Sequence, residues 1–262
     1  MAEKIRVGLV GYGYAGKTFH APLIAGTPGL ALAAVSSSDA GKVHADWPSM
    51  TVVGGAQALF ADPALDLIVI PTPNDTHFPL AQQALAAGKH VVVDKPFTVT
   101  LSQAQALQQQ AQQSGLLLSV FHNRRWDSDF LTLKALLNEG ALGEVVYFES
   151  HFDRYRPQVR QRWREQGGVG SGIWFDLGPH LLDQALQLFG KPERLFVDLG
   201  ELRPGAQAVD YFHALLSYGD RRVVLHASML AAAESPRYVV HGTRGSYVKY
   251  GLDPQEDRLK AG

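Results

Sequence analysis

Ile5-Arg6-Val7-Gly8-Leu9-Val10, followed at once by Gly11-Tyr12-Gly13-Tyr14-Ala15-Gly16, decides the fold of this chain. The first six residues are β-formers and small residues, a strand. Lys17 to Ala25 then continues with helical spacing that puts Phe19, Leu23 and Ile24 on one face. Strand, G-x-G-x-x-G and helix in that order make a dinucleotide-binding arrangement. The first glycine forms the tight turn, the second admits a pyrophosphate, and the third lets helix pack on strand. The helix start adds free N–H groups and the positive end of a dipole for phosphate. Gly11, Tyr12, Gly13, Tyr14, Ala15 and Gly16 are therefore candidate cofactor contacts.

The next strand runs from Leu30 to Val35 and ends in Ser36-Ser37-Ser38-Asp39. About twenty residues past such a glycine loop, an NAD site places an acid on the ribose 2′-OH. Here Ser36 or Ser37 stands there, with Asp39 displaced into the next turn and Lys42 nearby. Hydroxyls and a lysine suit a 2′-phosphate, which a carboxylate would repel, so NADP(H) is favoured with NAD(H) as the other option. The same serines also suit the cap of the following helix.

Leu67 to Ile70 is another buried strand, leading into Pro71-Thr72-Pro73-Asn74-Asp75-Thr76-His77. The two prolines forbid a helix start inside that loop, and Asn74, Asp75 or Thr76 can cap the helix carrying Leu80 and Leu85, which Gly88 ends. Val91-Val92-Val93-Asp94-Lys95-Pro96-Phe97 opens with three β-branched residues, a strand buried on both faces, and breaks at Lys95-Pro96. Two readings of Lys95 stand: a solvated cation capping a strand, or a group facing the crevice where open α/β sheets hold ligands. The Gln-rich stretch Gln103 to Gln113 reads as a solvated helix with Leu101, Ala104 and Leu107 on its apolar face. Leu116 to Val120 supplies one more strand, and the alternation of strand and helix predicts a parallel sheet.

The pattern changes near residue 121. A helix from Ser128 to Leu137 buries Phe130, Leu133 and Leu137, and a strand spans Glu144 to Phe152. Arg154, Tyr155, Arg156 and Trp163 then belong to a basic, aromatic segment. It reads as a mobile loop over a hydroxylated substrate or as a merely solvated loop. Gly167 to Gly172 is a flexible entry to Asp176 and His180, four apart and so on one helical face. An acid and an imidazole so placed can share a proton or orient a hydroxyl; a capping aspartate beside a structural histidine is the alternative. Pro179 argues for a helix that starts near Asp176 and leaves both side chains at an exposed first turn. No second ligand cluster accompanies the pair, so no metal is expected. From Leu195 to Tyr250, short alternating segments predict a mainly antiparallel sheet. The segment Tyr211 to Tyr218 is apolar on both faces, one for the His180 helix and one for a further partner such as a second subunit.

Composition excludes several classes. The chain has 262 residues, enough for about two domains. Its formal net charge of -1 favours neither nucleic acid nor an anionic membrane. Without cysteine, a thiol nucleophile and a thiolate zinc site are excluded. The start lacks the apolar core of a signal peptide, and no apolar run reaches the roughly 18 residues of a membrane helix, which predicts a soluble, cytoplasmic protein.

The Gly11 loop, Thr72-Pro73-Asn74 with His77, Asp94-Lys95-Pro96, and Gly170-Ser171-Gly172 through Asp176 to His180 together resemble the glucose–fructose oxidoreductase and inositol dehydrogenase (Gfo/Idh/MocA) family over the whole chain. More narrowly, Ser36 to Ser38, His122 to Trp126 and the Arg154 loop resemble an NADP-using branch that includes scyllo-inositol dehydrogenases. The resemblance implies an α/β architecture: an amino-terminal Rossmann domain, residues 1–121, and a carboxyl-terminal α/β domain, residues 122–262, whose open sheet mediates a homodimer or homotetramer. It implies an NAD(P)-dependent dehydrogenase of a polyol or sugar hydroxyl, in which Lys95, Asp176 and His180 meet at the nicotinamide. Thr72, Pro73, Asn74, His77, Asp94, Lys95 and Asn123 would join the cofactor site, and Arg154, Tyr155, Arg156 and Trp163 the substrate site with Asp176 and His180. Two departures accompany it. Asp94 stands where the family commonly has glutamate, and family members usually continue several dozen residues further, so the chain is expected to be truncated.

A cofactor-binding sensor or co-regulator that kept the fold without catalysis is the competing class. It would have little need of lysine, aspartate and histidine at all three catalytic positions. A methyl-donor site at the glycine loop would leave the same three unused.

Overall fold

The computed structural model describes residues 4–261. The chain forms two compact units, one running through Phe121 and joined by the segment from Asp257, the other His122–Glu256.

The first unit is built on a six-stranded sheet in the order β3-β2-β1-β4-β5-β6. The strands are β1 (Ile5–Val10), β2 (Leu30–Ser36), β3 (Thr51–Val53), β4 (Leu67–Ile70), β5 (His90–Asp94) and β6 (Leu118–Phe121). Every pairing is parallel. Val7, Leu9, Ile68, Ile70, Val91 and Val93 are sealed on both faces, as a parallel sheet covered by helices requires. The chain leaves β1 toward β2 and β3, then returns to β4 on its other side. The loops after β1 and β4 therefore flank the switch point where doubly wound sheets bind ligands.

Local departures from the sequence reading have local causes. The segment after the glycine loop winds first as a π-turn, Gly16–His20, and only then as α1 (Ala21–Gly26). A π-turn takes extra residues per turn, so the 3.6-residue face slips. Gly16, His20, Ala21 and Ile24 point inward, while Leu23 is 41% exposed. Asp39, rather than a serine, caps α2 (Ala40–Asp46), accepting the Lys42 N–H at 3.0 Å. Strand β3 and helix α3 (Ala56–Ala61) are too short for a periodicity to announce them. Helix α4 (Asn74–Ala86) starts directly after Pro73, with no side-chain cap from Asn74, Asp75 or Thr76. Helix α5 (Leu101–Ser114) buries Leu107 and Ala111 and leaves Leu101 exposed in its first turn.

The second unit holds another six-stranded sheet, β12-β11-β7-β10-β9-β8, from β7 (Val145–His151), β8 (Arg194–Gly200), β9 (Tyr211–Tyr218), β10 (Arg221–Ser228), β11 (Tyr238–Gly242) and β12 (Ser246–Lys249). Only β7 and β10 pair in parallel; their neighbours run antiparallel. One face packs on α7 (Gly172–Phe189) through Phe148, Phe212, Ala214, Val223, Leu225, Ile173, Leu177 and Leu181. Helix α6 (Ser128–Asn138) adds Leu133 to this core. Leu181 is fully buried there, so Leu181→Ala is expected to cost about 2–5 kcal/mol in denaturant unfolding; a loss under 1 kcal/mol would mean that the site collapses around the smaller side chain.

The start of α7 overturns the expected exposed first turn. The helix begins at Gly172, where φ is +83°. A side chain there would meet the Val209 backbone at 2.8 and 2.9 Å. The Gly172 and Ile173 N–H groups, which a helix start leaves without intrahelical partners, go to the Arg164 and Val209 carbonyls. Pro179 is inside the helix. Asp176 therefore stands a full turn in, and His180 is buried. No helix among the described residues is long and apolar enough to cross a membrane.

Candidate active site

In the first unit, the glycine loop shows why each glycine is there. Gly11 holds φ +90° and donates its N–H to the Ser36 carbonyl at 2.9 Å. A Cβ on Gly16 would lie 2.5 Å from the Gly11 oxygen, so the turn closes only around hydrogen. A Cβ on Gly13 would meet nothing within 4 Å, leaving room above the turn. These features fit a dinucleotide cradle: a tight turn, a close helix and an open approach. Tyr12 offers main chain alone, because its ring is buried in the core. Its hydroxyl donates to Asp46 (2.9 Å) and accepts from Trp47 Nε1 (2.8 Å). Burial and the Asp46 carboxylate push that hydroxyl up to about 12. Tyr14 is exposed beside the loop, its ring edge-on to Phe19, and Ala15 has helical backbone.

Ser36 is buried at the end of β2. Ser37 is tied into the turn, its Oγ accepting the Asp39 N–H at 3.1 Å and donating to the Asp39 carbonyl at 3.0 Å. Lys42 is exposed on the first turn of α2. The Asp39 carboxylate is engaged as the helix cap, with Ser37, Ser38 and Lys42 beside it after β2.

The loop after β4 touches the glycine loop: Cβ atoms built on Gly11 and Gly16 would lie 3.6 Å from Thr72 Cγ2 and Pro71 Cγ. Thr76 donates to the Pro73 carbonyl at 2.6 Å, with Thr72 Oγ1 at the same distance. His77 is sealed inside. Its ring nitrogens lie 2.7 Å from the Pro96 carbonyl and 2.9 Å from the Thr72 carbonyl. That corrects the expectation of a side-chain cofactor contact: the ring is fully buried between two carbonyls, and the imidazole braces the Thr72-Pro73-Asn74 turn against the Lys95-Pro96 turn. Asn74 is largely buried at the first turn of α4.

Lys95 follows the last residue of β5, half-buried, and its peptide to Pro96 is cis. Its N–H donates to Asp94 Oδ1 at 2.7 Å. Asp94 Oδ2 lies 3.6 Å from Nε2 of His20, whose buried ring rests on Phe121 at 4.3 Å between centroids. Burial would raise the Asp94 carboxyl, but His20, the Lys95 charge and the Lys95 N–H outweigh it and hold the group below the usual carboxylate range. The sequence offered no signal for His20 beyond its residue type, because its inward direction depends on the π-turn.

In the second unit, Asp176, His180 and Gln184 follow at four-residue intervals along α7. Gln184 is buried and donates to the Arg124 carbonyl at 2.9 Å while accepting from Arg237 (3.0 Å) and Tyr238 (2.9 Å). Asn123 lies on the short 3-10 turn Asn123–Trp126, which Arg125 latches to α7 through both oxygens of Asp183 at 2.6 and 2.8 Å.

The basic segment runs as a strap held by hydrogen bonds to its surroundings. The Arg154 and Arg156 N–H groups bond the Ser228 and Met229 carbonyls at 2.9 and 2.8 Å, and Tyr155 bridges Leu230. Its far end is anchored by Arg203, buried and bound to Asp210 (2.9 Å), Glu165 (3.0 Å) and the Arg156 carbonyl (3.1 Å). Nothing in the local sequence around Arg203 marks this role. Arg154 lies over Phe152, and burial with the nearby Arg156, Arg124 and Arg162 charges pulls its pKa below the ordinary arginine value, Asp176 opposing. Arg164 stacks on Trp163 and reaches Asp176 at 3.8 Å. A narrow cleft lined by Arg162, Arg164, Asp176 and Arg203 results. Its lining sets three arginines against two carboxylates, Asp176 and Glu165, and Tyr155 and Trp163 are exposed on the strap.

Comparison with known proteins agrees over both units. Residues 5–122 match the oxidoreductase family with NAD-binding Rossmann fold, and residues 130–248 match the GFO/IDH/MocA C-terminal domain. The oxidoreductase YdgJ of Escherichia coli is 75% identical over all of this chain and 76% of its own length. The scyllo-inositol 2-dehydrogenase (NADP(+)) IolW of Bacillus subtilis is 41% identical over 99% of this chain and 73% of its own length. The solved structure of the oxidoreductase YPO2259 from Yersinia pestis superposes with a TM-score of 0.95 at 78% identity, covering 100% of this chain and 74% of that one. A dinucleotide cradle on the first unit and an acid–imidazole helix on the second, matched along both, place the chain in the Gfo/Idh/MocA family of NAD(P)-dependent oxidoreductases.

Proposed function

We propose that this oxidoreductase uses NADP(H) to interconvert a hydroxyl and a carbonyl on an inositol-like polyol or sugar, with Lys95, Asp176 and His180 as its reacting groups. The observation that carries the reading is the α7 face, where a half-buried carboxylate and a buried imidazole stand one turn apart beside a strap of arginines. The likeness to IolW over nearly the whole chain supports the substrate class.

When bound, the nicotinamide supplies the hydride acceptor or donor. His180 takes the proton from the reacting hydroxyl, so that no alkoxide accumulates. Asp176 orients that imidazole or holds a neighbouring hydroxyl. Lys95, at the turn fixed by Asp94, would supply a positive charge to the reacting groups. Arg154, Tyr155, Arg156 and Trp163 receive the remaining hydroxyls, and a planar guanidinium offers several donors to them at once. The main chain of Gly11 to Gly16, with Thr72 and Asn74, would hold the cofactor. A cytoplasmic location belongs to the same reading.

The second sheet offers the surface for a homodimer or homotetramer. On the face away from α7, Phe196, Leu215, Val224, Val239 and Val248 fall in one register row, interrupted by Glu149, and Phe196 and Val248 are exposed. Such a row on an open sheet suits a second copy.

The test is the initial rate of NADP+ reduction over inositols, hexoses and sugar acids, paired with NAD+. It is run on this chain and on one extended to the length of its relatives. Turnover of cyclic polyols with NADP+ is expected; activity confined to acyclic acids would overturn the substrate class. Ser37→Asp tests cofactor choice by placing a carboxylate where the 2′-phosphate would sit. The ratio of kcat/KM for NADP over NAD should fall by about 10-fold or more, and an unchanged ratio removes the NADP assignment.

A further inference from the structure

The sheet face opposite α7 carries a row of histidines that the proposed reaction does not use. His151 on β7 pairs in register with His226 on β10, and His226 with His213 on β9. Side chains on the core face of β10, Val223, Leu225 and Ala227, alternate with His226, so this row faces away from the helix. Just past β7, Asp153 reaches into the row. Its Oδ2 lies 3.3 Å from His151 Nδ1 and its Oδ1 3.4 Å from His226 Nε2.

These separations are longer than a well-formed hydrogen bond, which centres near about 2.9 Å. They match the edge of a tetrahedron drawn at zinc–nitrogen and zinc–oxygen bond lengths, about 3.4 Å. One ligating atom from each of the three residues lies within 4.8 Å of the others. We propose that His151, Asp153 and His226 form a binding site for one divalent transition-metal ion of the zinc class.

The surroundings are those of a built site. Asp153 is held by the Ser228 N–H (2.9 Å) and the Ser235 hydroxyl (2.6 Å), one on each oxygen. Each oxygen keeps a lone pair for an ion. His151 turns Nδ1 to Asp153 and Nε2 to Glu149 Oε2 at 3.4 Å, and Glu149 accepts the Tyr147 hydroxyl. A carboxylate behind a ligating imidazole fixes its tautomer and raises its basicity. Two imidazoles and one carboxylate suit zinc, cobalt or nickel rather than magnesium or calcium, which take oxygen ligands. A cleft lined by His151, Asp153, Glu234 and Ser235 reaches two of the three ligands. The proposal is independent of the dehydrogenase reading.

The test is a titration of the untagged chain with Zn2+, after exhaustive chelation, by calorimetry. One ion per chain is expected, unaffected by excess Mg2+. His226→Gln and Asp153→Asn should each weaken binding by at least about 10-fold, with circular dichroism confirming the fold. Absence of saturable binding, binding unchanged in both folded variants, or displacement by Mg2+ overturns the site. Where a variant fails to fold, the wild-type chain loaded with Co2+ decides. Strong visible bands of a four- or five-coordinate ion support it, and the weak spectrum of an octahedral aquo ion overturns it.

Discussion

Lys95→Ala is expected to lower kcat by about 10²–10⁴-fold, the range for losing a positioned proton-transfer or charge-stabilising group. Dinucleotide binding, followed by nicotinamide fluorescence, should change far less, because the glycine loop is untouched. The mutation leaves the backbone amide that Asp94 holds at 2.7 Å, and so leaves the turn itself. What it removes is the half-buried cation that follows the carboxyl end of β5. Asp94, held in its charged form by His20 and Lys95, fixes the Lys95 backbone at that turn. A variant that keeps more than a tenth of the wild-type rate would take Lys95 out of the reacting set and return it to the role of a strand-end cation.

The second large effect is at Gly16. A methyl there meets the Gly11 oxygen at 2.5 Å, backbone against backbone, with no flexible side chain to give way. Either the first turn opens or the helix moves off the sheet. Gly16→Ala should lose about 1–3 kcal/mol of stability, as overpacking does elsewhere, and weaken dinucleotide binding by about 100-fold or more. Gly13→Ala separates fold from ligand. Its Cβ meets nothing within 4 Å, so the melting temperature should hold while dinucleotide affinity falls, the methyl standing where a pyrophosphate must approach. Unchanged affinity in Gly13→Ala would show that the cofactor does not pass over that residue. Unchanged stability in Gly16→Ala would show that the turn is looser than its geometry.

Much of this was legible residue by residue. Alternating strands and helices, the glycine spacing and the proline after Lys95 are local signals, and local windows carry them. The antiparallel segments from Leu195 onward were equally readable, since a strand with one face on a helix alternates its burial. His77 shows the limit. The family resemblance implied a ligand contact there, and only the packing of two loops revealed a buried brace between two carbonyls.

The sequence by itself determined that a parallel, dinucleotide-binding unit is followed by a second, mainly antiparallel one, because backbone geometry at glycines and the period of apolar residues are properties of short segments. Tertiary structure alone decided what lies inside. It set the π-turn that swings His20 under Asp94, the helix start at Gly172 that buries His180, and the Arg203 anchor of the basic strap. It also set the strand register that lays His151 beside His226 with Asp153 between them. Each of these depends on groups far apart in the chain meeting at a fixed distance. That meeting is settled by which surfaces can be buried together, and no window of sequence contains both partners.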